Sequence, residues 1–250
     1  EPVSNADYAQ KSSHCEYIMT FALGLLMIVQ RFLSGVYKPF MDDWFLYGDL
    51  YKGISNRLAN FAIPNEKFAI RPLAGVFDCF VNAPLFNHLW IVELFLTFSL
   101  LFGSFLIIKA LRRNNFASGG FFLCLVCLFP VGLEATYWIA AATRVVYSLL
   151  FIGCATLSLD YCYKSDKVKF LVMFAVFGML SVCFYEPAIV VYIILTLFIV
   201  WNNYKNKKDL LPLAIMAAHI AIIGIYYILN SGSGEIESRG GFLETDILEH

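Results

Sequence analysis

Long apolar runs broken by short polar connections dominate this chain. A membrane-crossing helix needs about 20 mostly apolar residues, and about seven segments approach that requirement. Residues 17–36 (YIMTFALGLLMIVQRFLSGV), 88–110, 138–160 and 210–229 are the longest. Residues 119–133, 168–185 and 187–201 are shorter and predict tight hairpin partners, set apart by Pro130, Glu134 and the Glu186-Pro187 pair. The pattern predicts an all-α integral membrane protein, a single transmembrane domain over 1–250. Residues 231–250 form a polar tail with no closing element, so the chain is expected to be the N-terminal part of a longer protein.

Charges between the runs predict an orientation, because Lys and Arg in short loops stay on the cytoplasmic side. Three connections are basic: Lys109, Arg112 and Arg113; Lys164, Lys167 and Lys169; Lys205, Lys207 and Lys208. They alternate with the short turns at 133–138 and 185–187, which have no Lys or Arg; this places those turns, and with them residues 37–87, outside. The segment 37–87 is too long for a passive link between adjacent helices. Its second half, FAIRPLAGVFDCFVNAPLF, mixes aromatics with Arg71, Asp78 and two prolines, as expected of a helix lying at the membrane interface.

Composition narrows the class. The chain is 60% hydrophobic and 15% charged, with a mean hydropathy of +0.69, against about 45–50% apolar and about 25% charged in soluble domains. A soluble globular protein is excluded. A net charge of −1 gives no basic excess for nucleic acid, so none is expected as a partner. The 7 cysteines are scattered through apolar segments, and Cys124 and Cys127 have no second ligand pair, so packing is expected of them. No phosphate-binding glycine loop, nucleophile elbow or zinc-protease helix occurs.

Several of the remaining charges fall in one outer layer. Asp42, Asp43 and Asp49 follow the first run, Arg71 lies in the same outer segment, and Glu134, Arg144 and Glu186 sit at the outer ends of later runs. Charges at membrane depth are costly unless paired or facing water, so they are functional candidates. Adjacent carboxylates at Asp42-Asp43 suit a general base, because one raises the other's pKa, or a divalent cation. They also suit a solvated loop with an Asp-capped helix starting at Trp44. Arg144 requires a partner, either Glu134, Glu186 or a bound anion, and its planar fork fits a phosphate; a purely structural ion pair explains it too. Arg31 can snorkel to the interface. Glu93 fits a structural role inside its span, and His88 and His219 have no ligand-spaced partner.

Taken in order, Met41-Asp42-Asp43-Trp44, Arg71-Pro72-Leu73, Pro130 with Glu134 and Trp138, Arg144, and Tyr185-Glu186-Pro187 resemble the GT-C superfamily of membrane glycosyltransferases. The nearest flavours are the glucosyltransferases that decorate bacterial O-antigen and, more distantly, protein O-mannosyltransferase-like proteins of the cell envelope. The resemblance implies a GT-C-like helical fold in the bacterial inner membrane, with the site facing the periplasm. It implies a polyprenyl-phosphate sugar as donor, a glycan or lipid-linked glycan as acceptor, and inversion at the anomeric carbon. Asp42 or Asp43 would be the base, and the lipid phosphate would lie near Arg144 or Arg71. Glu134, Trp138 and Glu186 would complete the substrate site. The superfamily has members with and without a divalent cation (Mg or Mn), so that cofactor stays open.

Other classes compete. A transporter or flippase would use the polar layer as a substrate site, but transporters favour the bilayer midplane and internal symmetry, and no repeat is visible. A non-catalytic membrane assembly protein explains the hydrophobicity but leaves the outer charges without a role.

Overall fold

In the computed structural model, residues 71–116, 139–165, 167–204 and 209–229 are described, together with Gly53 and scattered helical positions between 18 and 29. Asp42, Asp43, Glu134, Trp138, the predicted run 119–133, Cys124, Cys127 and the polar tail lie outside the described residues. Every element among those described is helical. A short helix α1 (Pro72–Phe77) runs into a wider π turn (Asp78–Asn82), and a 3-10 turn (Phe86–His88) leads into α2 (Leu89–Arg113). Then come α3 (Ile139–Ser165), α4 (Val168–Phe184), a 3-10 turn (Glu186–Ala188), α5 (Ile189–Tyr204) and α6 (Leu211–Leu229).

The protein is an all-α membrane protein in this architecture. Among the described residues, three stretches are long and apolar enough to cross a bilayer: Phe86–Arg113, Ala141–Ser165 and Glu186–Tyr204. Val168–Phe184 and Leu211–Tyr226 are apolar but shorter. The helices α2 and α3 outrun their predicted ends at residues 110 and 160. In α2 the extra turn carries Arg112 and Arg113, cations that suit a helix C-terminus. In α3 the extension is held by an ion pair from Lys164 to Asp160 at 2.8 Å, one turn apart.

The core is a layered packing of α2 on α3 and α3 on α4, with α5 and α6 joined to α3 and α4. On α2, Leu89, Val92, Leu96, Leu100 and Ile107 recur at helical spacing and are buried, while Trp90, Phe95, Phe98 and Phe102 point outward, as a lipid-facing stripe requires. Hydroxyls inside α3 turn back on their own helix: Thr143, Thr156 and Ser158 donate to the carbonyls of Ile139, Ile152 and Cys154 at 2.7–2.8 Å. Ser148 instead donates across to the Ser181 carbonyl of α4 at 2.9 Å.

Small residues set the α2–α3 distance. A Cβ at Gly153 would lie 2.6 Å from the Gly103 carbonyl oxygen, and one at Gly103 would lie 2.8 Å from the Leu150 Cα. Close backbone approach of this kind substitutes for the hydrophobic drive that helices lack in lipid. Gly153→Val is therefore expected to lower stability by about 1–3 kcal/mol through overpacking. The check is the midpoint of SDS-induced unfolding in mixed micelles, with Gly224→Ala, which meets open space, as the neutral comparison. An unchanged midpoint for Gly153→Val would refute the contact.

Part of the segment predicted to lie at the membrane interface packs against the bundle. Proline opens α1 where a missing N–H costs nothing, and Ala74, Gly75, Asp78, Cys79 and Asn82 are buried as α1 packs on α3 and α4. Two buried polar side chains, Asp78 and Asn82, give the reason: their hydrogen-bond partners are in the bundle.

Candidate functional site

The N-terminal end of α3 and the C-terminal end of α4 meet in an antiparallel pair, so Arg144 and Glu186 lie at the same end of the bundle. The chain entering α1 adds Arg71 there. Arg71 Nε and Nη2 donate to Glu186 Oε2 and Oε1 at 2.6 and 2.5 Å, a two-point fork. Its guanidinium also lies 5.0 Å from the centre of the Tyr185 ring. Arg71 and Glu186 are 16% and 17% exposed, shielded enough for the pair to tie the start of α1 to the α4–α5 turn.

Arg144 pairs with Asp78, a residue the sequence did not propose as its partner. Its Nη2 donates to Asp78 Oδ2 at 3.1 Å, and Asp78 is fully buried. Asn82 supports the same carboxylate, donating from Nδ2 to Asp78 Oδ1 at 3.1 Å and to Thr143 Oγ1 at 2.8 Å. The sequence placed Asp78 in the outer segment without naming it as a partner; 66 residues separate it from Arg144, and no local spacing connects them. One turn deeper lies an aromatic layer, with the Phe77 ring 4.9 Å from Tyr147 and 5.0 Å from Phe184. Two guanidinium–carboxylate pairs thus stand above an apolar floor at one end of the molecule.

Of the residues singled out in the sequence, Arg71, Arg144 and Glu186 come together here. Glu93 is buried in α2 one turn from its start. His219, predicted to lack a ligand partner, pairs through Nδ1 with the Tyr192 hydroxyl at 3.0 Å, packed against Gly178. Among the described residues no three His, Cys, Asp or Glu side chains converge as a metal-ligand set.

The opposite end carries a cluster that sequence reasoning missed. Asp160, fully buried on α3, accepts hydrogen bonds from Arg113 and from Asn114, the latter at 2.7 Å, and pairs with Lys164. Asn203 of α5 donates to Asn114 at 2.7 Å, so α2, α3 and α5 are joined through one polar chain. Arg113 also stacks over Tyr161 at 4.4 Å. The signal was present as an acid at the end of an apolar run, four residues before Lys164. Among the described residues, the bundle therefore has a basic, Asp160-centred end and an opposite end where two guanidinium groups each meet a carboxylate.

No family model, curated protein or solved structure matches the chain.

Proposed function

We propose that the protein is a membrane glycosyltransferase of the GT-C type, moving a hexose from a polyprenyl phosphate to a glycan or lipid-linked glycan acceptor. The observation that carries this is the convergence of Arg144, Arg71 and their carboxylates at one end of an apolar bundle. Such an end suits a substrate with a lipid tail and an anionic head. The polyprenyl chain lies along lipid-facing helices, and the phosphate meets a guanidinium at the rim. The basic, Asp160-centred end is then cytoplasmic by the positive-inside rule, and the site faces the periplasm of a bacterial inner membrane.

The two arginines suit different tasks. Glu186 occupies Arg71 with the fork geometry that a phosphate would use, which favours a bracing role for that pair. Arg144 projects from α3, a helix long and apolar enough to cross the bilayer, which favours it as the ligand of a lipid-linked phosphate. In the reaction the acceptor hydroxyl attacks the anomeric carbon while the bond from that carbon to the phosphate oxygen breaks. The phosphate leaves with the bonding electrons, and the hydroxyl proton passes to Asp42 or Asp43. A guanidinium at the leaving group stabilises the developing negative charge.

The test is release of polyprenyl phosphate from a labelled polyprenyl-phosphate hexose by the full-length protein in lipid. Turnover is expected, and Arg144→Lys is expected to lose about 100-fold in kcat, because a point charge cannot reproduce the planar fork. Absence of turnover across a panel of lipid-linked hexoses and acceptors would overturn the proposal. A near-parental rate for Arg144→Lys would remove Arg144 from the site.

A further inference from the structure

Thr143 and Arg144 are neighbours on α3, and their side chains reach the same partner segment by different routes. Arg144 Nη2 donates to Asp78 Oδ2, Asn82 Nδ2 donates to Asp78 Oδ1 and to Thr143 Oγ1, and Thr143 donates to the Ile139 carbonyl. The circuit therefore leaves α3 at Arg144 and returns to it one residue earlier. Asp78, Asn82 and Thr143 are 0%, 1% and 0% exposed, so water does not compete for these bonds. Both Asp78 and Asn82 come from the π turn, a rare winding concentrated at functional sites.

The circuit does more than neutralise a charge. A long guanidinium side chain near a membrane surface ordinarily turns toward water and samples many rotamers. Here its direction is set by a carboxylate that is itself held on its second oxygen, and the holder is anchored back to α3. Fixing a ligand-binding group before the ligand arrives removes that entropy cost from the binding step. Arg144 is 11% exposed, so it is held by the wall yet not sealed inside it.

We propose that Asp78 is a positioning residue, supported by Asn82 and Thr143, that aims Arg144 at the phosphate of the lipid-linked donor; this rests on the glycosyltransferase reading above. The opposite role, a counter-ion that phosphate must displace, gives the opposite sign on removal. If Asp78 positions Arg144, its loss weakens phosphate binding. If it competes, its loss strengthens it.

The experiment measures binding of polyprenyl phosphate to the full-length protein in nanodiscs, with the unphosphorylated polyprenol as reference, beside steady-state KM values for donor and acceptor. Asp78→Asn is expected to weaken polyprenyl phosphate binding roughly tenfold, the scale seen when a supporting partner of a ligand-binding group is removed. Donor KM rises with it, while polyprenol binding and acceptor KM stay unchanged. Thr143→Val, which removes the anchor of Asn82 but keeps the shape, shifts the same quantities less. The exchange Asp78→Arg/Arg144→Asp should recover folded yield over Asp78→Arg alone without recovering phosphate binding.

Unchanged or tighter phosphate binding in Asp78→Asn overturns the inference, as does a fall in kcat with donor KM unchanged. If Asp78→Asn does not fold, Thr143→Val decides by the same criteria. A parent that binds and turns over the donor while both variants match it overturns this inference alone. A parent with neither phosphate-dependent binding nor turnover overturns the glycosyltransferase reading, and this inference with it.

Discussion

Asp42→Asn/Asp43→Asn is expected to reduce hexose transfer by roughly 10²–10⁴-fold, the contribution of a positioned general base, while leaving polyprenyl phosphate binding intact. In the proposal the phosphate is held by Arg144 on α3, with its supports on α3 and the π turn, and the acid pair is not among them. The split between chemistry and binding is therefore the diagnostic. Two adjacent carboxylates repel when both are ionised, so one retains its proton more readily than an isolated Asp. For that reason each single Asn variant is expected to keep more activity than the double variant, since the remaining carboxylate can reach the acceptor. The measurement is kcat for labelled-hexose transfer alongside nanodisc binding of polyprenyl phosphate. Full turnover in the double variant would remove the base from the first outer connection. Loss of phosphate binding together with turnover would mean the pair supports the site rather than the proton transfer.

At the other end of the molecule, Asp160→Ala is expected to cost about 3 kcal/mol of stability, the lower end of the range for breaking a buried charged pair. Arg113 and Lys164 are 33% and 34% exposed and can turn to water once their partner is gone, which keeps the penalty from rising higher. Asn114, buried beside Asp160, retains only part of its network through the Ala110 carbonyl and Asn203. Arg113→Ala is expected to cost less, because Lys164 and Asn114 still hold Asp160. The midpoint of SDS-induced unfolding orders the variants: parent, then Arg113→Ala, then Asp160→Ala. The reverse order would show that the cation, and not the buried carboxylate, organises that end.

The helical segments at 88–110, 138–160, 168–185, 187–201 and 210–229 were legible along the chain, each recovered as a helix within a few residues. Apolar runs of that length can satisfy their backbone hydrogen bonds in lipid only by becoming helices, so the requirement is local. The ends were less legible. Asp160 looked like the limit of an apolar run, yet the helix continues to Ser165 because Arg113 neutralises the carboxylate and Asn114 donates a hydrogen bond to it, both from far back in the chain. Arg144 was recognisable as a residue needing a partner, but among candidates from the same outer layer the sequence offered Glu134 and Glu186. Glu186 engages Arg71 and Asp78 engages Arg144, pairings that arise from the packing of α1 against α3 and α4.

By itself, then, the sequence determined that this is a helical membrane protein, which connections gather the basic residues, and which charges need an explanation. These follow from the cost of placing polar groups in hydrocarbon, a cost that depends on residue type and run length. The tertiary structure alone decided who pairs with whom: Arg71 with Glu186, Arg144 with Asp78 on a buried π turn, and Asp160 with donors from two helices. Those pairings join residues far apart in the chain, and their energies depend on distance and burial, which exist only once the helices have packed.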